Sequence, residues 1–176
     1  MDRAMRTLGL LLIISFVVGC TANYQVQNLA GANTARLDKD KGIYITIPSD
    51  GAYESRTYSG SGNIVAQAVA AAFSKHATRV QIAEKRHSNE EAIAAAKNLS
   101  AGYVVVPTIA QWEQRATEWS GRPSRMSIRI TILDVVTGDQ VSSTSVEGRS
   151  RIVSLTSTTP EPLLRSPLAD YVSGLY

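Results

Sequence analysis

The sequence predicts an α/β (α+β) domain with a single mixed sheet, in the order β-α-β-α-β-β-β-α, and with helices packed on the sheet. Apolar residues recur at every second position in some segments, as in half-buried strands. In other segments they recur at every third or fourth position, as in helices with one buried face. The continuous apolar run over residues 103–109 is typical of a central strand covered on both sides.

The first half of the chain alternates strand and helix patterns between turn signals. Pro48 with Asp50-Gly51 ends the first strand, and a Gly/Ser-rich turn precedes the first helix. Ser88 and Glu91 have the spacing of a capping box, in which a hydroxyl and a carboxylate satisfy free amides at a helix start. The predicted elements are, in chain order, a strand over 43–47, a helix over 64–73, a strand over 80–82 and a helix over 88–99.

The second half predicts three neighbouring strands and a closing helix. Crossovers through the two helices favour parallel or mixed pairing of the first three strands, and a hairpin then extends the sheet. Ser166 and Pro167 are the candidate N-cap and first-turn proline of the last helix, although Pro160 and Pro162 leave its start open. The predicted elements are strands over 103–109, 126–132 and 141–146 and a helix over 164–175.

The single cysteine of the chain, Cys20, ends a leader with a basic start and a short apolar run. Arg3 and Arg6 precede residues 8–18, which are too few to span a bilayer comfortably. The segment Val17-Val18-Gly19-Cys20 resembles a bacterial lipobox. This resemblance implies cleavage before Cys20 and attachment of lipid to its sulfur and its new amine. An ordinary secretory signal and an N-terminal membrane anchor are the alternatives.

This leader divides the chain into three predicted parts. Residues 1–19 form a cleaved signal peptide, 20–41 a lipidated N-terminus with a polar tether, and 42–176 one periplasmic domain. The whole chain has a net charge of +3, and the leader carries one of these charges. So small and scattered a charge argues against a nucleic-acid partner.

The sequence offers little for catalysis, and we expect no enzymatic activity, no metal site and no cofactor. The two histidines, His76 and His87, are interpreted as a helix-end and a turn residue, since no serine or carboxylate pattern accompanies them. No spacing typical of metal ligands occurs. The turn Ser59–Asn63 precedes a helix and offers amides to an anion, but a plain helix start explains it better.

The segment 111–125 is the candidate partner-binding site. It joins two predicted strands and contains both tryptophans of the chain, together with several arginines, which are residue types that often anchor protein interfaces. In the alternative interpretation the tryptophans fold back on the sheet and the arginines stay solvated. The predicted partner-binding residues are Trp112, Arg115, Trp119 and Arg122.

The element order and the hairpin sequence Leu133–Val141 resemble a group of bacterial envelope domains. The group includes the N-terminal domain of TolB, the curli secretion lipoprotein CsgG and the lipoprotein activators of penicillin-binding proteins. The stretches Tyr103–Glu113 and Trp119–Asp134 resemble more closely a family of small bacterial lipoproteins with a domain of unknown function. The resemblance implies a non-enzymatic role and supplies no catalytic residues.

The sequence therefore predicts a lipid-anchored accessory or assembly factor that acts through an envelope protein partner. Thr21 replaces the aspartate that commonly retains lipoproteins at the inner membrane, so the resemblance implies the outer membrane, facing the periplasm. Homo-oligomerisation stays open. The alternative function is a module that binds a small ligand, either a peptidoglycan fragment or an anion.

Overall fold

The computed structural model describes residues 23–28, 36–113, 123–149 and 162–176. In these ranges a six-stranded sheet is covered by helices on both faces, which confirms the predicted α/β fold class. The strands are β1 (Asn23–Asn28), β2 (Gly42–Ile45), β3 (Ala52–Tyr53), β4 (Arg56–Thr57), β5 (Val80–Ile82), β6 (Ala101–Glu113), β7 (Arg125–Asp134) and β8 (Gln140–Arg149). The helices are α1 (Ser61–Phe73), α2 (Asn89–Asn98) and α3 (Pro162–Ser173).

The sheet has the strand order β1-β8-β7-β6-β2-β5. β2 runs parallel to both β5 and β6, because a helix joins each successive pair of these strands along the chain. β6, β7 and β8 then form an antiparallel meander, and β1 adds to β8 as an antiparallel edge strand. The short strands β3 and β4 form a separate small hairpin that the sequence pattern did not predict.

The main core lies between the sheet and the helices α1 and α3. Alternate residues of β7 point into it, as the period of two predicts. Its fully buried large side chains include Ile128, Ile130 and Ile132 of β7, Val65, Val69 and Phe73 of α1, and Leu164 and Leu168 of α3. Burial of each such side chain stabilises the fold by about 1.5–3 kcal/mol.

A smaller core on the opposite face lies under α2. Ala92 and Ala96 of this helix are fully buried against Tyr44 and Val104 of the sheet, and their small size allows a close approach. The predicted capping box at its start is confirmed. The Ser88 hydroxyl accepts a hydrogen bond from the Glu91 amide at 3.2 Å, and the Glu91 carboxylate accepts one from the Ser88 amide at 2.8 Å.

Part of the predicted tether belongs to the folded domain, so the tether prediction is wrong for these residues. Asn23–Asn28 forms β1 despite its polar sequence, because an edge strand needs only backbone hydrogen bonds to join a sheet. Leu37 is 5% exposed, and its amide donates a 2.7 Å hydrogen bond to the Leu175 carbonyl. The chain is therefore attached to the domain well before residue 42.

The last helix begins five residues earlier than the first-turn position Pro167, which the candidate cap Ser166 implies. It starts at Pro162, and Pro167 lies inside it. A proline in the first turn loses no helical hydrogen bond, which suits Pro162, whereas Pro167 removes one. The hydrogen bond lost at Pro167 is compensated because the first turn of α3 buries Leu163 and Leu164 in the main core.

Candidate interaction surface

At one end of the sheet lie the starts of β1 and β7 and the last residues of β6 and β8. Asn23 pairs with Arg149, Arg149 pairs with Arg125, and Arg125 pairs with Glu113. These four residues form one row across β1, β8, β7 and β6. We call this row the hairpin end of the sheet, since it adjoins the connection between β6 and β7.

Two arginines lie side by side in the hairpin end. Arg125 and Arg149 are both exposed and directly opposite each other on adjacent antiparallel strands. Like charges in this position destabilise a strand pair unless an anion compensates them. Among the described residues, no ion pair or hydrogen bond involves either guanidinium group. The hairpin end therefore presents two adjacent positive charges to its surroundings.

Glu113 provides a buried carboxylate at the same end. Its residue is 5% exposed, and its carboxylate accepts a hydrogen bond from the side-chain amide of Gln111. Ser124, immediately before β7, is fully buried. The hairpin end thus combines buried polar residues with the two exposed arginines.

Trp112 is not an exposed partner-binding residue, and the prediction is wrong for this side chain. It is 3% exposed and belongs to the main core, because it pairs with Met126 on the face covered by α1 and α3. The alternative, that the tryptophan folds back on the sheet, holds here. The other predicted contact residues, Arg115, Trp119 and Arg122, and the lipidation residue Cys20 lie outside the described residues.

Sequence reasoning missed the role of Arg149 at this end. The residue closes a weak, Ser/Thr-rich strand and has no motif around it. Its position opposite Arg125 follows from the register of β7 and β8, which neither segment shows by itself. The available signal was the arginine at one end of each strand, which indicates a charged sheet end once β7 and β8 are recognised as a hairpin.

The glycine-rich turn before α1 uses its amides within the protein. The Gly62 amide donates a 2.8 Å hydrogen bond to the Asp50 carboxylate, and the Ser61 hydroxyl accepts one of 2.8 Å from the Gly51 amide. Arg86 lies 3.4 Å from the second oxygen of Asp50. The hydrogen bond from Gly62 is the main reason that the pKa of Asp50 lies below its ordinary value. The turn is therefore a helix start, and the anion that its Gly62 amide binds is the Asp50 carboxylate of the same chain.

The two histidines contact different aromatic rings. His76 stacks on Tyr176 with ring centres 5.4 Å apart, and His87 lies 6.1 Å from the Tyr44 ring. Within the described ranges, no cluster of three metal-ligating side chains occurs. In the same ranges, no helix has the length and apolar character required to cross a bilayer.

A groove of about 490 Å³ runs between α1 and α3. Its lining includes several alanines and the cationic side chains Lys75 and Arg165. A second groove of about 400 Å³ lies at the starts of the parallel strands β2, β5 and β6, and its lining includes Arg79 and the exposed Leu99. Both grooves combine apolar walls with a cationic group, which is a lining suited to small anionic molecules.

Solved structures with a similar fold come from several bacteria. The PelC dodecamer from Paraburkholderia phytofirmans is 16% identical with a TM-score of 0.66, and the match covers 87% of this chain and 97% of that chain. A Xanthomonas campestris protein described by the family model DUF330 is 12% identical with a TM-score of 0.50, covering 74% and 81%. The LpoB C-terminal domain from Salmonella enterica is 10% identical with a TM-score of 0.44, covering 65% and 85%.

At such identities the likeness concerns the fold alone. No curated protein matches the sequence. A family model described as a domain of unknown function matches residues 35–175, which include β2 to β8 and all three described helices. The expected resemblance to a family of unknown function is therefore confirmed: the chain belongs to the DUF4823 family.

Proposed function

We propose that this chain is a lipid-anchored bacterial envelope protein at the periplasmic side of the outer membrane. In this role it is a non-enzymatic accessory or assembly factor that acts through protein contacts. The observation that carries the proposal is the placement of Cys20. Only Thr21 and Ala22 separate this cysteine from the first residue of β1, so a lipid on Cys20 is tied directly to the sheet.

The short connection determines how far the domain stands from the membrane. Three residue steps from Cys20 to Asn23 span at most about 10 Å. Acylation on both the sulfur and the amine of Cys20 would give stable anchoring, which a single chain does not. A partner of this domain should therefore lie at the membrane surface.

Protein contacts, including contacts with copies of the same chain, are supported by the two edge strands that the sheet has among the described residues. β1 and β5 form its two edges, and they are different surfaces. Contacts between unlike edges of identical chains run head to tail and close into rings when the rotation allows. The similar PelC structure is a dodecamer, so this fold is compatible with assembly into large oligomers.

The anchor is tested by Cys20→Ser in the bacterium that produces the protein. We expect the variant to accumulate with its leader uncleaved or to leave the outer-membrane fraction, whereas the parent chain is acylated and membrane-bound. Mass spectrometry of the N-terminal peptide measures the acyl groups directly. An unmodified Cys20 in the mature protein, or normal retention of the Cys20→Ser variant, would refute the lipid anchor.

Assembly and partner contacts need a separate measurement. Light scattering after size-exclusion chromatography of the detergent-solubilised protein gives its mass, and chemical crosslinking in the cell captures neighbours. We expect either a defined oligomer or one reproducible envelope protein crosslinked to the domain. A monomer that gives no specific crosslink would contradict the role in assembly while leaving the anchor intact.

The α1–α3 groove favours one alternative, a module that binds a small anionic ligand such as a peptidoglycan fragment. Lys75 and Arg165 are the cationic side chains among the residues that line this groove, and such groups bind anions. A ligand that binds only the folded state raises the melting temperature. Under this alternative, muropeptides raise the melting temperature of the parent chain and of Lys97→Ala, but not that of Lys75→Ala. Equal melting temperatures with and without muropeptides would remove the alternative.

A further inference from the structure

We propose that the hairpin end of the sheet docks on the phospholipid surface, with Arg125 and Arg149 together binding lipid phosphate. This inference deepens the proposed function, because the lipid anchor brings the same end of the domain to the membrane. It concerns a surface of the described residues, and its test does not require Cys20 to be acylated.

The position of the proposed anchor favours this end of the sheet. Asn23 lies in the same row as Arg149 and Arg125, and adjacent strands are about 4.8 Å apart. Both arginine backbones thus lie within about 10 Å of Asn23 across the sheet. Since Cys20 is only three residues away from Asn23, its acyl chains enter the bilayer close to these two side chains. The opposite end of the sheet is about 30 Å away, the length of the ten-residue strand β7.

The exposed charge at this end is positive. Arg125 and Arg149 face each other, and among the described residues neither forms an ion pair, although the buried Glu113 is opposite Arg125 in the same row. A phosphate group between them would accept forked, charge-assisted hydrogen bonds from both guanidinium groups and remove their repulsion. A bilayer surface offers such phosphates at high density, together with a negative potential when anionic lipids are present.

Charge is arranged unevenly along this sheet face. The carboxylate of Glu113 lies in the same row, opposite Arg125, but it is buried and accepts a hydrogen bond from Gln111. The nearest exposed carboxylate among the described residues of this face is that of Glu147, two residues before Arg149 and opposite Ser127. Arg129 lies on this face too, but about 13 Å further along β7 from Arg125. The positive pair is therefore outermost, where a membrane at the hairpin end would meet it first. Arg129 provides a matched control with the same side chain, strand and face.

The test measures binding of the unanchored chain to lipid vesicles. The chain from residue 20 onward, with Cys20→Ser, retains every described residue. It is sedimented with vesicles of phosphatidylethanolamine and phosphatidylglycerol, and with vesicles of phosphatidylcholine alone. We expect binding to the anionic vesicles that weakens as salt is added, and much weaker binding to phosphatidylcholine.

The arginine variants decide whether the hairpin end is responsible. One arginine near an anionic surface strengthens binding by about fivefold, so Arg125→Gln with Arg149→Gln should weaken it by more than about tenfold. Arg125→Glu with Arg149→Glu should weaken it further. Arg129→Gln should change it less than twofold. The unfolding midpoint of each variant in urea confirms that it is folded.

Three results would overturn the proposal. The first is equal vesicle binding by the parent chain and the doubly substituted Gln variant. The second is an equal loss on Arg129→Gln, which would indicate general electrostatics of the sheet face. The third is arginine-dependent binding to soluble polyglutamate but not to anionic vesicles, which would assign the pair to an acidic protein partner. Failure of the anchor is detected separately, because the Cys20→Ser fractionation does not involve these arginines.

Discussion

The carboxylate of Asp50 accepts a 2.8 Å hydrogen bond from the backbone amide of Gly62. This contact joins the loop after β2 to the first turn of α1. Arg86, from the loop after β5, approaches the same carboxylate and also donates a 3.3 Å hydrogen bond to the Pro48 carbonyl. Asp50 therefore connects three segments at the end of the sheet where the parallel strands finish.

We expect Asp50→Ala to lower the free energy of unfolding by about 1–2 kcal/mol, the usual effect of removing a capping carboxylate. The Gly62 amide is part-buried and would lose its acceptor. Asp40→Ala is the control, because Asp40 is exposed and only its backbone amide takes part in a described hydrogen bond. Urea unfolding followed by circular dichroism measures both. Equal effects of the two substitutions would contradict the capping role.

The same carboxylate predicts a dependence of stability on pH. The pKa of Asp50 is lowered in the folded state, chiefly by the hydrogen bond from the Gly62 amide, so the folded state favours the ionised form. The stabilisation is then complete above the ordinary aspartate pKa of about 4 and is lost as the pH falls through the lowered folded value. The stability difference between the parent chain and Asp50→Ala should shrink in that acidic range. A difference that stays constant down to strong acid would refute this linkage.

Gly51 fits tightly against Trp112. A methyl group on Gly51 would come within 2.6 Å of the Trp112 Cβ atom and 2.9 Å of its Cγ atom. We expect Gly51→Ala to destabilise the fold by about 1–3 kcal/mol through overpacking. Gly174→Ala is the control, since its nearest neighbour would be 3.4 Å away. The measurement is the unfolding midpoint in urea, and a larger shift for Gly174→Ala would contradict the packing account.

The hydroxyl groups of Ser142 and Tyr171 are 2.9 Å apart and hydrogen-bond β8 to α3. Burial raises the pKa of Tyr171, so the neutral phenol is the form that the fold stabilises. We expect Tyr171→Phe to cost about 1 kcal/mol, and Ser142→Ala to cost much less when Tyr171 is already Phe. A double-mutant cycle measures this coupling. Strictly additive effects would show that the hydrogen bond contributes nothing.

The core and the order of elements could be predicted from the sequence because apolar residues repeat with the period of each helix or strand. Ile128, Ile130 and Ile132 alternate with polar residues, and all three point into the main core. The Ser88–Glu91 capping box was equally readable, since both of its hydrogen bonds are local. Features of this kind can be predicted because they depend only on the spacing of residues within one segment.

The hairpin end could not be read in this way. The pairing of Arg125 with Arg149 and of Asn23 with Arg149 depends on the register between separate strands. Trp112 shows the same difficulty, because the irregularity in pairing between Ile109 and Gln111 places Trp112 opposite Met126 and on the core face. The polar residues of β1 disfavour a strand, and no sequence pattern there predicts one. Proline likewise disfavours the interior of a helix, and no sequence pattern predicts Pro167 inside α3.

The antiparallel pairing of β1 with β8 also has a mechanical consequence. With the proposed lipid on Cys20, a force that draws the domain away from the membrane would be applied at the Asn23 end of β1 and along the strand. The backbone hydrogen bonds of an antiparallel pair run across the strands, so such a pull loads all of them together in shear. A pull across the sheet would break them one after another. Under the proposed lipid anchor, β1 begins three residues after the attachment point, so it would bear load along its axis and would separate more easily under a pull from the side.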